Sequence, residues 1–392
     1  MRKQERHVRL LELFCALKEK DCFTVEIPAP TPGVLNSDLA FPISASYAPP
    51  FPDFPHMLNY PVVLDLYETD RGVAEMETKF EEHRAEIEGH ITKWQNRIQS
   101  HLTKIAPKAS PAVTNKVLLS TLIGHDNKPN PLLELPDRIK RLLRADSLFK
   151  TTSYTFGRSF TYGSILRHHQ LIGTHTPTSP ASPQAPPSLD HITWHPEANK
   201  MAQELLASMG KPNASYLEMS DKAIYTCGRC HNTEAKRWEE IVDHYVLERK
   251  SYTRIREDIR RSRLNFTYMN MHGPNLSSEQ PLVQHISTQA PDDDSEQFEC
   301  KLCAKLIVGE VVTSELKVVK HLRNVHRITD PELYEDYDPQ ITDLDDGFSD
   351  EDNECDYARH HLAGYGRYGR RRRDHYYSRS RCAYDANGDG WS

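Results

Sequence analysis

The stretch "FECKLCAKLIVGEVVTSELKVVKHLRNVH", residues 298–326, decides the fold of the C-terminal half of the chain. Two residues separate Cys300 from Cys303, and four separate His321 from His326. A Cys-x2-Cys turn followed by two histidines about one helical turn apart supplies the four donors of a tetrahedral metal site. The pattern therefore predicts that these four residues bind one Zn²⁺ ion.

Three apolar residues around these ligands predict a small hydrophobic core. Phe298 lies two residues before the first cysteine, Ile307 four after the second, and Val318 three before the first histidine. In this arrangement the stretch resembles the zinc-finger family with two cysteine and two histidine ligands. The loop between the ligand pairs is longer than the usual spacing of about twelve residues. The resemblance implies an α+β unit, residues 297–336, with a lengthened hairpin.

An incomplete copy of the pattern lies upstream, in "YTCGRCHNTEAKRWEEIVDHY", residues 225–245. Its predicted metal ligands are Cys227, Cys230 and His244. The fourth ligand stays open between Glu248, one helical turn after His244, and His231, beside the second cysteine. A redox role for the cysteine pair is not favoured, because the βαβ pattern that accompanies redox pairs is missing from the sequence.

The apolar pattern of the N-terminal half predicts helices. Residues 73–105 contain no proline and carry apolar residues in helical register, which indicates one helix about 50 Å long at ~1.5 Å per residue. This helix either packs against its neighbours in a small bundle or pairs with a second chain as a coiled coil. Two further helices are expected at residues 111–123 and 131–149. The predicted fold class is mainly α, with small α+β zinc-finger units.

Composition divides the rest of the chain into ordered units and loose segments. The expected organisation is an amphipathic helix (1–27), a proline-rich linker (28–61), a helical region (62–172), a disordered linker (173–190), a first zinc-binding unit (191–270), a linker (271–296), the second unit (297–336) and a disordered acidic, then arginine-rich tail (337–392).

A weaker resemblance covers more of the chain. The runs "LPDRIKRLLRADSLF" and "EMETKFEEHRAEIEGHITKWQNRI", with the "CGRC" unit, resemble uncharacterised fungal proteins with a helical N-terminal half, some of which begin with an F-box. Residues 1–40 contain no Leu-Pro-x-Glu pattern of an F-box, so a ubiquitin-ligase adaptor role is not implied. The resemblance implies an architecture and no activity.

Basic residues near the two units are candidates for nucleic-acid binding. If the second unit docks like a standard finger, its base-facing residues are Ser314, Lys317 and Lys320. The segment "RKSYTRIREDIRRSR", residues 249–263, offers Arg254 and Arg256 to phosphates, or is the solvated face of an amphipathic helix. The net charge of −7 does not decide between these interpretations, since acidic and arginine-rich runs are adjacent near the C-terminus.

The sequence yields two hypotheses for function. The first is a nuclear zinc protein that contacts DNA, RNA or chromatin-associated partners. The alternative is a zinc-stabilised scaffold, nuclear or cytoplasmic, that uses the long helix for protein contacts and binds no nucleic acid. No signal peptide or membrane span is predicted. An enzyme is not expected, because the sequence contains no glycine-rich phosphate loop, nucleophile elbow or paired acidic motif. The oligomeric state stays open.

Overall fold

The computed structural model describes residues 2–27, 43–107, 123–124, 131–152, 158–168, 189–219, 224–230, 234–273, 281–285, 296–306 and 311–340. All of them belong to one compact unit, Met1–Ile341. Helices predominate, and short antiparallel strand pairs accompany them, so the mainly α class with small α+β parts is confirmed.

Five helices form the N-terminal part: α1 (Arg2–Lys20), α2 (Phe54–Met57), α3 (Pro61–Glu68), α4 (Val73–Glu82) and α5 (Arg84–Ile105). Pro61 opens α3, where its fixed φ suits the first helical turn and its missing N–H costs no helical hydrogen bond. Leu10 and Phe14 of α1 pack with Met76 and Phe80 of α4 in an N-terminal core cluster.

The predicted single helix over residues 73–105 is wrong, because His83 divides it. His83 has φ −100° and ψ 5°, outside helical values, and its carbonyl accepts hydrogen bonds from Glu86 and Ile87 at the start of α5. The apolar stripe stays buried on both sides of this break. Ile87 belongs to the N-terminal cluster and Trp94 to the next one. The stripe therefore packs within its own chain. This arrangement agrees with the predicted bundle and gives no support to the coiled coil.

The proline-rich range 28–61 differs from a simple linker in its described part. Strand β1 (Phe23–Ile27) pairs with β2 (Ile43–Tyr47) on one side and β3 (Ile123–Gly124) on the other, all antiparallel. Tyr47 is buried in a central core cluster that also contains Trp94, Ile98 and Tyr162. The buried Tyr47 side chain attaches strand β2 to this core.

The central cluster is completed by α6 (Asp137–Leu142), β4 (Phe149–Thr151), α7 (Tyr162–Arg167) and β5 (Ile192–Trp194). The helix expected over 131–149 is wrong in length, because α6 ends at Leu142. The backbone beyond it bonds to a distant segment instead: the Leu143 carbonyl accepts the Tyr216 N–H, and the Ala145 N–H donates to the Ala214 carbonyl. A 3-10 turn, Pro131–Glu134, precedes α6. The helix predicted at 111–123 lies outside the described residues except for Ile123, and so does the predicted linker up to residue 188.

The C-terminal part contains α8 (Pro196–Ser208), β6 (Tyr225–Cys227), α9 (Trp238–Arg261), β7 (Val283–His285), β8 (Gln297–Cys300), β9 (Val312–Ser314), α10 (Glu315–His321) and β10 (Tyr337–Pro339), with 3-10 turns at Tyr216–Glu218 and Cys303–Lys305. Strand β7 pairs with β6 although it falls in the expected linker 271–296. Strand β10 pairs with β8 although it falls in the expected tail, and its Tyr337 is buried in the core of the second unit. Residues 341–392 lie outside the described ones.

Within the described part of the chain, none of the helices has the length and apolar character needed to cross a membrane.

Candidate metal centres

Four side chains of the second unit converge as the spacing predicts. The Cys303 Sγ lies 3.3 Å from Nε2 of His321 and 3.3 Å from Nε2 of His326, and these two nitrogens are 3.2 Å apart. With Cys300, all four ligand atoms lie within 4.8 Å of one another, and all four residues are buried. Tetrahedral Zn–S and Zn–N bonds give S–N separations of about 3.5 Å and N–N separations of about 3.3 Å. This group, the second site, therefore fits one metal ion.

A small β-hairpin and a helix hold the second site. Cys300 ends β8 and Cys303 begins the 3-10 turn, so the hairpin presents both sulfurs, while His321 ends α10. Phe298 and Val318 are buried beneath the ligands, as predicted. Ile307 lies outside the described residues. The other buried residues around the site are Leu306, Val311, Leu322 and Tyr337.

A π-helix explains how two histidines five positions apart reach one ion. In an α-helix, residues i and i+5 point about 140° apart, since 3.6 residues complete one turn. Residues Leu322–His326 instead form a π-helix, whose wider turn brings such residues onto one face. Arg327 then ends it in the left-handed conformation, with φ 62°. The His-x4-His spacing thus specifies a local backbone form as well as two ligands.

The two cysteines of the second site shift each other's pKa in opposite directions. The pKa of Cys300 is lowered to about 2, mainly because the Cys303 thiol donates a hydrogen bond to it, with further contributions from His321 and His326. The pKa of Cys303 is raised, first by the same hydrogen bond and then by burial. Metal binding would require both cysteines as thiolates, because the thiolate is the metal-binding form of cysteine.

The first site unites Cys227, Cys230 and His244 with a residue that the sequence analysis did not identify, His272. Nε2 of His272 lies 3.5 Å from Cys227 Sγ, and Nε2 of His244 lies 3.5 Å from Cys230 Sγ. The four ligand atoms again lie within 4.8 Å of one another. This group also could hold a metal ion.

Glu248, one of the two residues considered as fourth ligand, does not belong to this group. Glu248 is one turn after His244 on α9, and its Oε2 lies 3.7 Å from Nδ1 of His272. It therefore faces the far side of the His272 ring, where a carboxylate favours the tautomer with Nε2 free for a metal. His231 lies outside the described residues. The pKa of Cys227 is lowered, chiefly by the hydrogen bond from Cys230 and then by His244 and His272.

The position of His272 could not follow from finger spacing, since the residue lies beyond the end of α9. One sequence signal could have suggested it. Only two histidines, His272 and His285, occur between His244 and Cys300. Because the copy lacked one ligand, these two were the nearest downstream donors of the required type.

Large buried side chains position the first site. Trp238, at the start of α9, donates a hydrogen bond from Nε1 to the Ala145 carbonyl (2.9 Å) and packs edge-on against Tyr225. The Tyr245 hydroxyl donates to the Leu282 carbonyl and lies 3.3 Å from Cys227 Sγ. These contacts fix α9, and hence His244, against strands β6 and β7.

Gly228 is required for the close approach of two backbone segments. A Cβ atom at this position would lie 2.1 Å from the Pro281 carbonyl oxygen, and the Gly228 N–H donates to the Leu282 carbonyl at 3.0 Å. Any side chain would therefore push β7 away from the Cys-x2-Cys turn.

The predicted nucleic-acid-binding residues lie at the end of one strand and on two helices. Ser314 is the last residue of β9, and Lys317 and Lys320 follow on α10. Arg254 and Arg256 are exposed on the second half of α9.

A buried polar cluster joins α9 to the central part but lacks the order of a catalytic triad. The Ser159 hydroxyl lies between Asp243 and His195, donating to Oδ1 of Asp243 and 3.0 Å from Nδ1 of His195. In a triad the imidazole lies between serine and carboxylate. Burial lowers the pKa of His195 to about 4 and raises that of Asp243 to about 6. Its hydrogen bonds connect Asp243 of α9 to Ser159 of the central part.

Comparisons of the chain with protein families, with curated proteins and with solved structures found no significant match.

We expect His272→Ala to abolish metal binding at the first site, and Glu248→Ala to lower its zinc affinity by about 10-fold or less. The difference arises because His272 supplies a ligand atom, whereas Glu248 acts only on the far ring nitrogen. Chelator competition on both full-length variants measures the zinc affinity of the first site. A larger loss in Glu248→Ala than in His272→Ala would assign the fourth ligand to Glu248.

Proposed function

We propose that the chain binds two structural Zn²⁺ ions, one in each Cys2His2 group, and that the resulting surface binds the phosphate backbone of nucleic acid. The observation that carries the zinc proposal is the arrangement of two sulfur and two nitrogen donors at tetrahedral separations. This donor set is typical of structural zinc sites. Because the protein supplies all four ligands, the proposed ions have a structural role.

The nucleic-acid part of the proposal is supported by the location of the exposed arginines. Tyr252 of α9 stacks on Tyr268 with ring centroids 6.2 Å apart, and Tyr268 lies edge-on to His326 at 5.6 Å. The Arg256 guanidinium covers the Tyr252 ring at 6.0 Å. The basic end of α9 is thereby held beside the second site, whose helix α10 carries the two lysines. A fixed group of cations suits a polyanionic backbone.

A nuclear location, with nucleic acid or chromatin-associated proteins as partners, is part of the same proposal. It rests on the arginine cluster at residues 370–373, a composition typical of import signals and of nucleic-acid-binding arms.

A salt titration tests the nucleic-acid proposal. Binding of the full-length protein to generic DNA and RNA duplexes should weaken steeply with salt, and Arg254→Gln, Arg256→Gln, Lys317→Gln and Lys320→Gln should each reduce the slope of log K against log salt by about 1. Lys79→Gln is the matched control, since Lys79 lies on α4 and pairs with Glu82. Failure to bind at low salt, with both zinc ions present, would reject this proposal.

One observation favours the alternative of a protein-binding scaffold. Leu316, between Glu315 and Lys317 on α10, is 81% exposed. On the helix face that a standard finger turns toward DNA, an apolar side chain offers no hydrogen bond to a phosphate or a guanine edge. The apolar stripe of α4 and α5 is already buried, so the proposed protein contact would use α10. Absence of nucleic-acid binding in the titration above is the result that this alternative predicts.

A further inference from the structure

Residues 264–273, "LNFTYMNMHG", connect the two metal sites and are called the bridging segment. The segment begins where α9 ends. Arg263 adopts a left-handed conformation, with φ 52°, and the Leu264 N–H donates to the Ile259 carbonyl at 3.0 Å. A left-handed residue after a helix turns the chain away from the helix axis. The bridging segment then contacts the second site before it supplies a ligand to the first.

The middle of the bridging segment orients a ligand of the second site. Nδ1 of His326 lies 2.9 Å from the Thr267 carbonyl oxygen, so the ring can donate this hydrogen bond while Nε2 faces the sulfur of Cys303. The Met269 N–H donates to the Val325 carbonyl at 2.9 Å. A hydrogen bond to the far nitrogen fixes the tautomer and the orientation of a metal-binding histidine. Residues 267–269 are therefore part of the support of the second site.

The end of the bridging segment supplies a ligand of the first site. A short turn presents His272, because Oδ1 of Asn270 accepts the His272 N–H at 3.1 Å and the Asn270 carbonyl accepts the Gly273 N–H at 3.3 Å. His272 is buried between Cys227 and Tyr245. Only two residues, Asn270 and Met271, separate His272 from the hydrogen bond of Met269 to the second unit. Two independent fingers would not share a segment in this way.

We propose that the two metal sites are energetically coupled through the bridging segment, so that metal in one site increases the affinity of the other. The inference rests on the proposed binding of zinc at both sites. Metal in the first site holds His272 and thereby restricts the neighbouring residues 267–269. The second site needs these same residues ordered when it binds its own ion, so it then binds with a smaller loss of conformational entropy. Fixing the backbone of these residues costs conformational entropy, which is then lost only once. By linkage, the effect on affinity is equal in both directions.

Zinc-dependent protection of cysteines from alkylation tests the coupling, because mass spectrometry reads each site separately. In the full-length protein, free zinc is set by a chelator buffer, and the midpoint for protection of Cys300 and Cys303 is measured. We expect this midpoint to rise on the order of 10-fold in Cys230→Ser and in His272→Ala, although all four ligands of the second site are intact. Cys303→Ser should shift the midpoint of Cys227 and Cys230 by the same factor.

A spacer variant separates coupling from general damage. Insertion of Gly-Ser-Gly-Ser between Met269 and Asn270 keeps all eight ligands and every contact of Thr267, and Cys230→Ser on this background should no longer move the midpoint of the second site. The coupling is refuted if Cys230→Ser and His272→Ala leave the midpoint of Cys300 and Cys303 unchanged in the original chain. It is also refuted if the shift persists in the spacer variant. A wild-type protein without zinc protection at any of these cysteines would instead reject the proposed zinc binding itself.

Discussion

Cys303→Ser is expected to release the metal from the second site and to unfold residues 296–340. Cys303 Sγ lies 3.3 Å from both histidine ligands, and the residue is fully buried. The core beneath it is small, with Phe298, Val318 and Tyr337 among its few apolar side chains. In such small units metal binding provides most of the folding free energy, about 10–16 kcal/mol in zinc-finger peptides. Serine offers no thiolate, so this contribution is largely lost.

Limited proteolysis with and without zinc measures this effect. Wild-type residues 296–340 should resist cleavage with zinc and become sensitive when a chelator removes it, whereas Cys303→Ser should be sensitive in both conditions. Cys15→Ser is the control, because Cys15 is an exposed cysteine on α1. If Cys303→Ser kept zinc-dependent protection of this region, Cys303 would not be a ligand.

Trp238→Ala is expected to destabilise the first unit by about 3–5 kcal/mol, the cost of truncating a large buried aromatic side chain. Trp238 is 1% exposed and packs in the cluster that contains Tyr225, Ile241 and Tyr245. The substitution also leaves the Ala145 carbonyl without its indole donor. Because Tyr245 and His244 share the helix that Trp238 begins, zinc affinity at the first site should fall as well.

Hydrogen exchange of the α9 amides gives the local free energy of unfolding for this test. Trp238→Phe should cost less than alanine, because it keeps most of the packing and loses only the hydrogen bond and part of the ring. Leu247→Ala, on the same helix at a half-exposed position, should change the free energy by about 0.5 kcal/mol or less. Similar costs for Trp238→Ala and Leu247→Ala would contradict the packing role of the indole.

Local spacing was sufficient to predict the second site. The ligands Cys300, Cys303, His321 and His326, with the core residues Phe298 and Val318, all lie within one short stretch, and the structure brings them together. Strand β10 was missed because its single buried aromatic, Tyr337, stands next to an acidic run that carries no strand pattern. The π-helix was also missed, since residue propensities do not distinguish it from an α-helix.

Features that depend on contacts distant in sequence could not be predicted. His272 completes the first site only because the chain reverses after α9, and no periodic pattern marks that reversal. The apolar stripe of residues 73–105 correctly indicated a buried helical face. His83 and Arg84 interrupt it between Phe80 and Ile87, but Glu77 and His90 interrupt it too without ending a helix, so the pattern could not single out the break between α4 and α5. Likewise, the chain leaves the helical conformation after Leu142, where Leu143 and Ala145 bond to Tyr216 and Ala214, far along the chain.

The zinc content of the purified full-length protein decides whether both proposed sites bind metal. Elemental analysis against protein concentration should find two zinc ions per chain, one for each Cys2His2 group. One ion per chain would remove one of the two sites, and a protein that contains no zinc and takes up none when zinc is supplied would contradict the account.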